Sequence, residues 1–89
     1  MKPFSWDPEK EALLKETREV SFLQVRTEIM KGRFKIIKSV SSVHPNQEAY
    51  LVELNDYVHV VPFREDTESI LLITIFPSRT WQKKIGGTL

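Results

Sequence analysis

Cationic side chains follow the last apolar segment of this chain, at the start of a short helical pattern. The apolar segment ends at Pro77, Ser78 suits a helix N-cap, and Arg79 takes the first helical position. Lys83 and Lys84 follow within the next turns. A guanidinium matches the oxygens of a phosphate, and the free N–H groups of a helix start also attract anions. This junction predicts a binding site for a phosphate or a carboxylate.

The chain as a whole is nearly neutral, with 13 Lys and Arg, 12 Asp and Glu, and a formal net charge of +1. The cations at residues 79–84 are therefore not a by-product of a basic protein, and strong nonspecific nucleic-acid binding is not expected. The absence of cysteine excludes disulfides and thiol chemistry, and fits a reducing compartment. No signal peptide is visible, and the apolar run at residues 70–76 is too short to span a bilayer. We therefore expect a cytoplasmic protein without a membrane partner.

The length indicates one domain over residues 1–89. Asp7 is a good N-cap for a helix over residues 8–18, whose few apolar side chains place it on the surface. Ser21 and Gln24 form a capping box for a second helix, and Gly32 is its left-handed cap. The first third of the chain therefore predicts two helices.

Beyond Gly32 the apolar period changes to the alternation typical of strands, with Phe34, Ile36 and Val40 facing inward. Residues 41–47 form a polar loop. Residues 50–54 and 57–63 are predicted to form a hairpin, since Asn55 and Asp56 suit a tight turn. Residues 70–76 are nearly all apolar, which predicts a strand buried on both faces at the centre of the sheet. The expected fold is α+β: two N-terminal helices, an antiparallel sheet of about four strands and a short C-terminal helix.

The two histidines, His44 in a loop and His59 in a strand, lack metal-ligand spacing, so neither a metal nor a cofactor is predicted. The ordinary pKa of histidine suits acid–base chemistry near neutrality, which makes His59 a catalytic candidate. A partly buried structural role is the alternative for His59, and His44 could reach a substrate from its loop.

Further cations lie at the start of the first predicted long strand. Arg33 and Lys35 share one face and could oppose the Arg79 end of the domain, or Lys35 could simply protect a solvated sheet edge. Arg79 could instead pair with a nearby Glu, while Lys83 and Lys84 could serve only to complement the helix dipole. Trp6 and Trp81 either stack on bases or pack in the core or in an interface.

Several segments, in order, resemble the BrnT-type toxins of bacterial toxin–antitoxin pairs. Residues 4–10 read Phe-Ser-Trp-Asp-Pro-Glu-Lys and residues 20–22 read Val-Ser-Phe, as in the opening of that family. Residues 77–84, Pro-Ser-Arg-Thr-Trp-Gln-Lys-Lys, are similar to its closing Ser-Ala-Arg-x-Ala-x-Lys-Lys. Residues 44–47 and 58–63 are similar to Tyr-Pro-Asn-Gln and Tyr-x-Val-Pro-Phe stretches in one branch of the family.

The resemblance implies a RelE-like fold and a metal-independent endoribonuclease that cuts messenger RNA. It also implies a cognate antitoxin that neutralises the toxin and binds DNA, so that this chain meets DNA only through its partner. Cleavage needs a base for the 2′-hydroxyl, an acid for the leaving oxygen and cations on the phosphate. The candidate catalytic residues are Arg79, His59 and Lys35. The candidate RNA-phosphate ligands are Arg33, Lys83 and Lys84.

Two departures from the family pattern remove or move cations. The family has Lys-His-Gly before Val-Ser-Phe, where this chain has Thr17, Arg18 and Glu19. The last strand of the family starts Arg-Ile-Ile, and Thr74 takes the position of that Arg. A second function therefore stays open: a non-catalytic protein-binding module on the same fold, which acts through a partner chain.

Overall fold

The computed structural model describes residues 2–38 and 46–89. The predicted position of Val40, the greater part of the predicted 41–47 loop and His44 lie outside these residues. The elements, in chain order, are β1 (Phe4–Ser5), α1 (Pro8–Arg18), α2 (Phe22–Met30), β2 (Lys35–Lys38), β3 (Glu48–Leu54), β4 (Tyr57–Glu65), β5 (Ile70–Leu72), β6 (Phe76–Pro77) and α3 (Arg79–Ile85).

The capping residues start the two N-terminal helices as the sequence predicts. The Asp7 carboxylate accepts a hydrogen bond from the N–H of Glu9 at 2.9 Å, which begins α1. Both bonds of the capping box between Ser21 and Gln24 are present at the start of α2. Gly32 has a φ of +76° just beyond α2, which confirms its left-handed conformation.

The strand order is β1-β5-β4-β3-β2, and β6 pairs with β4 beyond the end of β5. The strand β1 runs parallel to β5, while the other pairs are antiparallel. The prediction of an antiparallel sheet of about four strands is therefore wrong in detail: the described residues form a mixed sheet of six strands. Two-residue strands such as β1 carry no detectable alternation, so the sequence pattern could not reveal them.

The hairpin between β3 and β4 is confirmed. Asn55 and Asp56 have φ values of 54° and 61°, and positive φ at both central residues is the mark of a type I′ turn. The Asn55 side-chain amide also donates to the carbonyl of Glu19 at 3.0 Å. This turn thus ties the hairpin to the end of α1.

The apolar run at residues 70–76 is not one central strand. Leu72 pairs with Phe63 and Phe76 pairs with Val60, so this segment holds one residue more than the β4 segment opposite it. The extra residue makes a β-bulge, and the middle strand of the sheet is the neighbouring strand β4. Pro62 lies beside the bulge, where its lack of an N–H removes no regular ladder bond.

The sheet has a different cover on each face. We call one the helical face, because α1 and α2 pack on it over a core that includes Phe22, Val52 and Val61. We call the other the α3 face, where Trp81 and Ile85 of α3 pack against a smaller buried cluster. That cluster comprises Ala49, Leu51, Val58 and Val60.

The edge strand β2 departs from the predicted burial. Phe34, just before β2, packs against the helical-face core as expected, whereas Ile36 is 50% exposed. Ile36 pairs with Tyr50 but lies at the margin of the sheet, where burial by neighbouring elements is incomplete. No helix formed by residues 2–38 or 46–89 has the length and apolar character needed to cross a bilayer.

Candidate functional site

Two hydrogen bonds to Val58 of β4 fix the position of α3. The backbone N–H of Ser78 donates to the carbonyl of Val58 at 3.0 Å, and the N–H of Val58 donates to the Gln82 side-chain oxygen at 2.8 Å. The Ser78 hydroxyl accepts from the N–H of Trp81 at 3.2 Å, which confirms the predicted N-cap. Both polar groups of Val58 are thus satisfied by the helix rather than by another strand.

The β-bulge decides which side chains reach this face. Regular alternation from Leu72 would place Phe76 on the helical face, but the extra residue turns Phe76 to the α3 face and Ile75 into the helical core. The guanidinium of Arg18 in α1 donates a hydrogen bond to the carbonyl of Ile75 at 2.5 Å. This bond links the bulge to α1 on the helical face. A bulge has no composition signal in an all-apolar run, so the sequence pattern could not predict it.

Four of the predicted cations belong to the α3 face. Arg79, Lys83 and Lys84 lie on α3 and are exposed. Lys35 pairs with Leu51, and cross-strand neighbours share a face, so Lys35 also lies on the α3 side of the sheet. The α3 face is therefore richer in cations than the chain as a whole, which has a net charge of +1.

The helix α3 contributes these cations through its side chains. With seven residues it is too short for its N-terminus to make a site by itself, so the phosphate site predicted at the helix start rests on Arg79 and its cationic neighbours. The Lys84 ammonium nitrogen lies 5.0 Å from the Trp81 ring centroid, within cation–π range.

Arg33 does not belong to the same surface. Its guanidinium lies 3.9 Å from the Glu28 carboxylate and borders a separate groove of about 400 Å³ between α2 and the β3–β4 hairpin. Glu53 and Asp56 also line that groove. Arg33 thus faces carboxylates, which compete with any phosphate for its charge.

His59 lies on the other side of the sheet from α3. It pairs with Val52 of the helical-face core and is 6% exposed, and its Nδ1 lies 2.8 Å from the carbonyl oxygen of Tyr57. Burial lowers the pKa of His59 from its ordinary value; the carbonyl of Tyr57 partly offsets this, and the charge of Arg18 lowers the pKa further. The structure therefore places Arg79, Lys35, Lys83 and Lys84 on one face of the sheet and His59 on the opposite, helical face.

A groove of about 300 Å³ runs along the α3 face between β2 and α3. Its lining residues are Ile37, Lys38, Val60, Phe76, Ser78, Thr80 and Trp81. Lys38, Phe76 and Thr80 were not among the predicted site residues. The break in alternation at Ile37 was the available signal, since Ile37 pairs with Ala49 of the cluster on this face.

The described residues contain no group of three or more His, Cys, Asp or Glu side chains that could hold a metal ion. No protein-family model, curated protein or solved structure matches this chain. The resemblance to BrnT-type toxins therefore stays a prediction from the sequence motifs.

Proposed function

We propose that this chain is the toxin of a type II toxin–antitoxin pair, with a RelE-like fold and metal-independent endoribonuclease activity on messenger RNA. One observation carries the proposal: cations from β2 and α3 share one face of the sheet in a nearly neutral protein. The ordered family motifs support it. A DNA-binding antitoxin would neutralise the toxin by covering this face.

The chemistry required is an in-line displacement at phosphorus. The 2′-oxygen forms a new P–O bond, the bond to the 5′-oxygen breaks, and the products are a 2′,3′-cyclic phosphate and a free 5′-hydroxyl. The proton leaves the 2′-hydroxyl, and another is delivered to the 5′-oxygen. In the proposed site Arg79 contacts the phosphate and stabilises its growing negative charge, because its planar fork donates two parallel hydrogen bonds.

The other cations have separate roles in the proposed reaction. In this proposal Lys35, on the same face of the sheet as α3, donates a proton to the leaving 5′-oxygen, and Lys83 and Lys84 bind neighbouring phosphates. His59 has no role in this scheme, since it is buried on the helical face. Water takes the 2′-hydroxyl proton, and the rate comes from orientation and from charge stabilisation.

Expression of the wild-type chain in a bacterial host is the direct test. We expect growth arrest with cleaved transcripts, and relief of both by Arg79→Ala, because loss of one such contact costs about 100-fold or more in rate. Arg26→Ala is the matched control, since Arg26 is an exposed arginine on α2. If expression of wild type is harmless and the purified protein leaves RNA intact at low salt, the enzyme proposal is wrong.

A non-catalytic binding module is the second candidate. It is favoured by one feature of the described part of the α3 face: no histidine lies there to exchange a proton near neutral pH. This candidate predicts tight co-purification with the product of a neighbouring gene and no RNA cleavage. Recovery of the chain as a lone monomer from its native host would contradict it.

A further inference from the structure

The groove on the α3 face has an apolar bottom and a polar rim. Val60 is buried, Ile37 and Phe76 are half-buried, and all three belong to the cluster beneath α3. Lys38 and Thr80 also line the groove and are exposed. A volume of about 300 Å³ is at the lower limit for small-ligand pockets, so it suits one flat group rather than a folded chain.

Trp81 places an aromatic ring in this groove, beside the ammonium group of Lys84. The ring is half-buried, and the Lys84 ammonium nitrogen lies 5.0 Å from its centroid. Aromatic surface beside cations is the usual arrangement for single-stranded nucleic acid, in which the bases stack and the phosphates pair with Lys or Arg. A duplex buries the faces of its bases, so it has no comparable group to insert.

We propose that this groove binds one unstacked nucleobase of single-stranded RNA against Trp81, with the adjoining phosphates on Lys38 and Lys84. The inference rests on the proposed RNA-binding role of the α3 face and extends it by a base-binding subsite. The family motif carries Ala at the position of Trp81, so the subsite is a property of this chain. Charge complementarity favours this occupant over an uncharged aromatic ligand, because the phosphates of RNA would pair with the exposed ammonium groups of Lys38 and Lys84.

The test uses a hexanucleotide with 2′-O-methyl riboses, which lacks the attacking hydroxyl and stays intact. A set of variants carries a single abasic nucleotide at each position in turn, and binding is measured by fluorescence anisotropy. At one position we expect the abasic nucleotide to weaken wild-type binding about tenfold, or ~1.4 kcal/mol, within the range for one base stacked on an aromatic side chain. The other positions should change little.

The protein variant completes a double-mutant cycle. Trp81→Leu keeps apolar packing under α3 but lacks the aromatic face, and its melting temperature checks the fold. This variant should bind the intact hexanucleotide about tenfold more weakly than wild type, and the sensitive abasic position should cost it nothing further. Equal abasic effects in wild type and Trp81→Leu, or no sensitive position in wild type, would overturn the subsite.

A fluorescence readout needs no change in the groove itself. Trp6 stacks on Phe22 on the helical face, so Trp6→Phe leaves Trp81 as the reporter. Stacking of a base should quench that emission, and an unchanged spectrum at saturation would refute the proposal. If the abasic position and Trp81→Leu are coupled but RNA is not cleaved, the nuclease proposal is wrong and the subsite stands. If RNA is cleaved but the abasic position and Trp81→Leu are not coupled, the subsite is wrong and the nuclease proposal stands.

Discussion

The side chain of Gln82 forms one of the hydrogen bonds that attach α3 to the sheet. Its side-chain oxygen accepts the N–H of Val58 at 2.8 Å, and Val58 is 0% exposed. The change Gln82→Leu removes this acceptor, keeps a similar volume and leaves helix propensity unchanged. Because water cannot reach the N–H of Val58 in the folded state, the loss leaves a buried donor without a partner.

We expect Gln82→Leu to lower the free energy of unfolding by about 1–3 kcal/mol, the cost of leaving such a donor unsatisfied. For a domain of this size the melting temperature should fall by roughly 4–24 °C. Urea denaturation followed by circular dichroism measures the first quantity, and amide hydrogen exchange at Val58 locates the effect. RNA affinity should fall with it, since the cations of α3 lose their fixed position.

Two variants control this experiment. Gln82→Glu retains an oxygen acceptor and should lose less than half as much stability. Lys83→Leu makes a comparable change at the next, exposed position of the same helix and should shift stability by less than about 0.5 kcal/mol. If Gln82→Leu is as stable as wild type and the amide of Val58 exchanges no faster, the bond to Gln82 does not fix α3, and the reasoning fails.

Two further predictions concern a buried histidine and a tight turn. Burial lowers the pKa of His59, so the unfolded chain binds the proton more readily, and the free energy of unfolding should fall as pH drops below about 6.5. His59→Gln should flatten that dependence between pH 7.5 and 5.5; a slope as steep as that of wild type would contradict the prediction. In the hairpin turn, Asp56→Gly should raise the free energy of unfolding by about 0.5 kcal/mol, because glycine adopts the φ of 61° without strain. Asn55→Gly should gain less or lose, since it removes the hydrogen bond to Glu19; a larger gain for Asn55→Gly in thermal denaturation would refute this account.

Local signals in the sequence predicted the helices well. An N-cap, a capping box and a left-handed glycine each act within four residues, so Asp7, Ser21 and Gly32 carry their information without tertiary context. The turn at residues 55–56 is equally local. The general α+β class followed from these elements and from the change of period near Gly32.

The sheet was harder to predict because its pairing is long-range. The strand β1 has two residues and forms because Phe4 pairs with Ile70, which is distant in the sequence. The bulge after Leu72 lies in a run of similar apolar residues, in which one register looks like another until β4 imposes its own. A sequence pattern therefore predicted one strand where the structure forms two short ones.

The candidate site also has features that are local in the sequence and features that depend on long-range pairing. By itself the sequence determined the chemistry available: a run of cations at residues 79–84 and an aromatic side chain among them, in a nearly neutral chain without cysteine. The tertiary structure decided which groups meet. It placed Lys35 on the same face of the sheet as α3, turned Arg33 toward Glu28 and placed His59 on the opposite face. The physical reason is that strand alternation and one extra residue assign each side chain to a face, and this assignment depends on partners distant in the sequence.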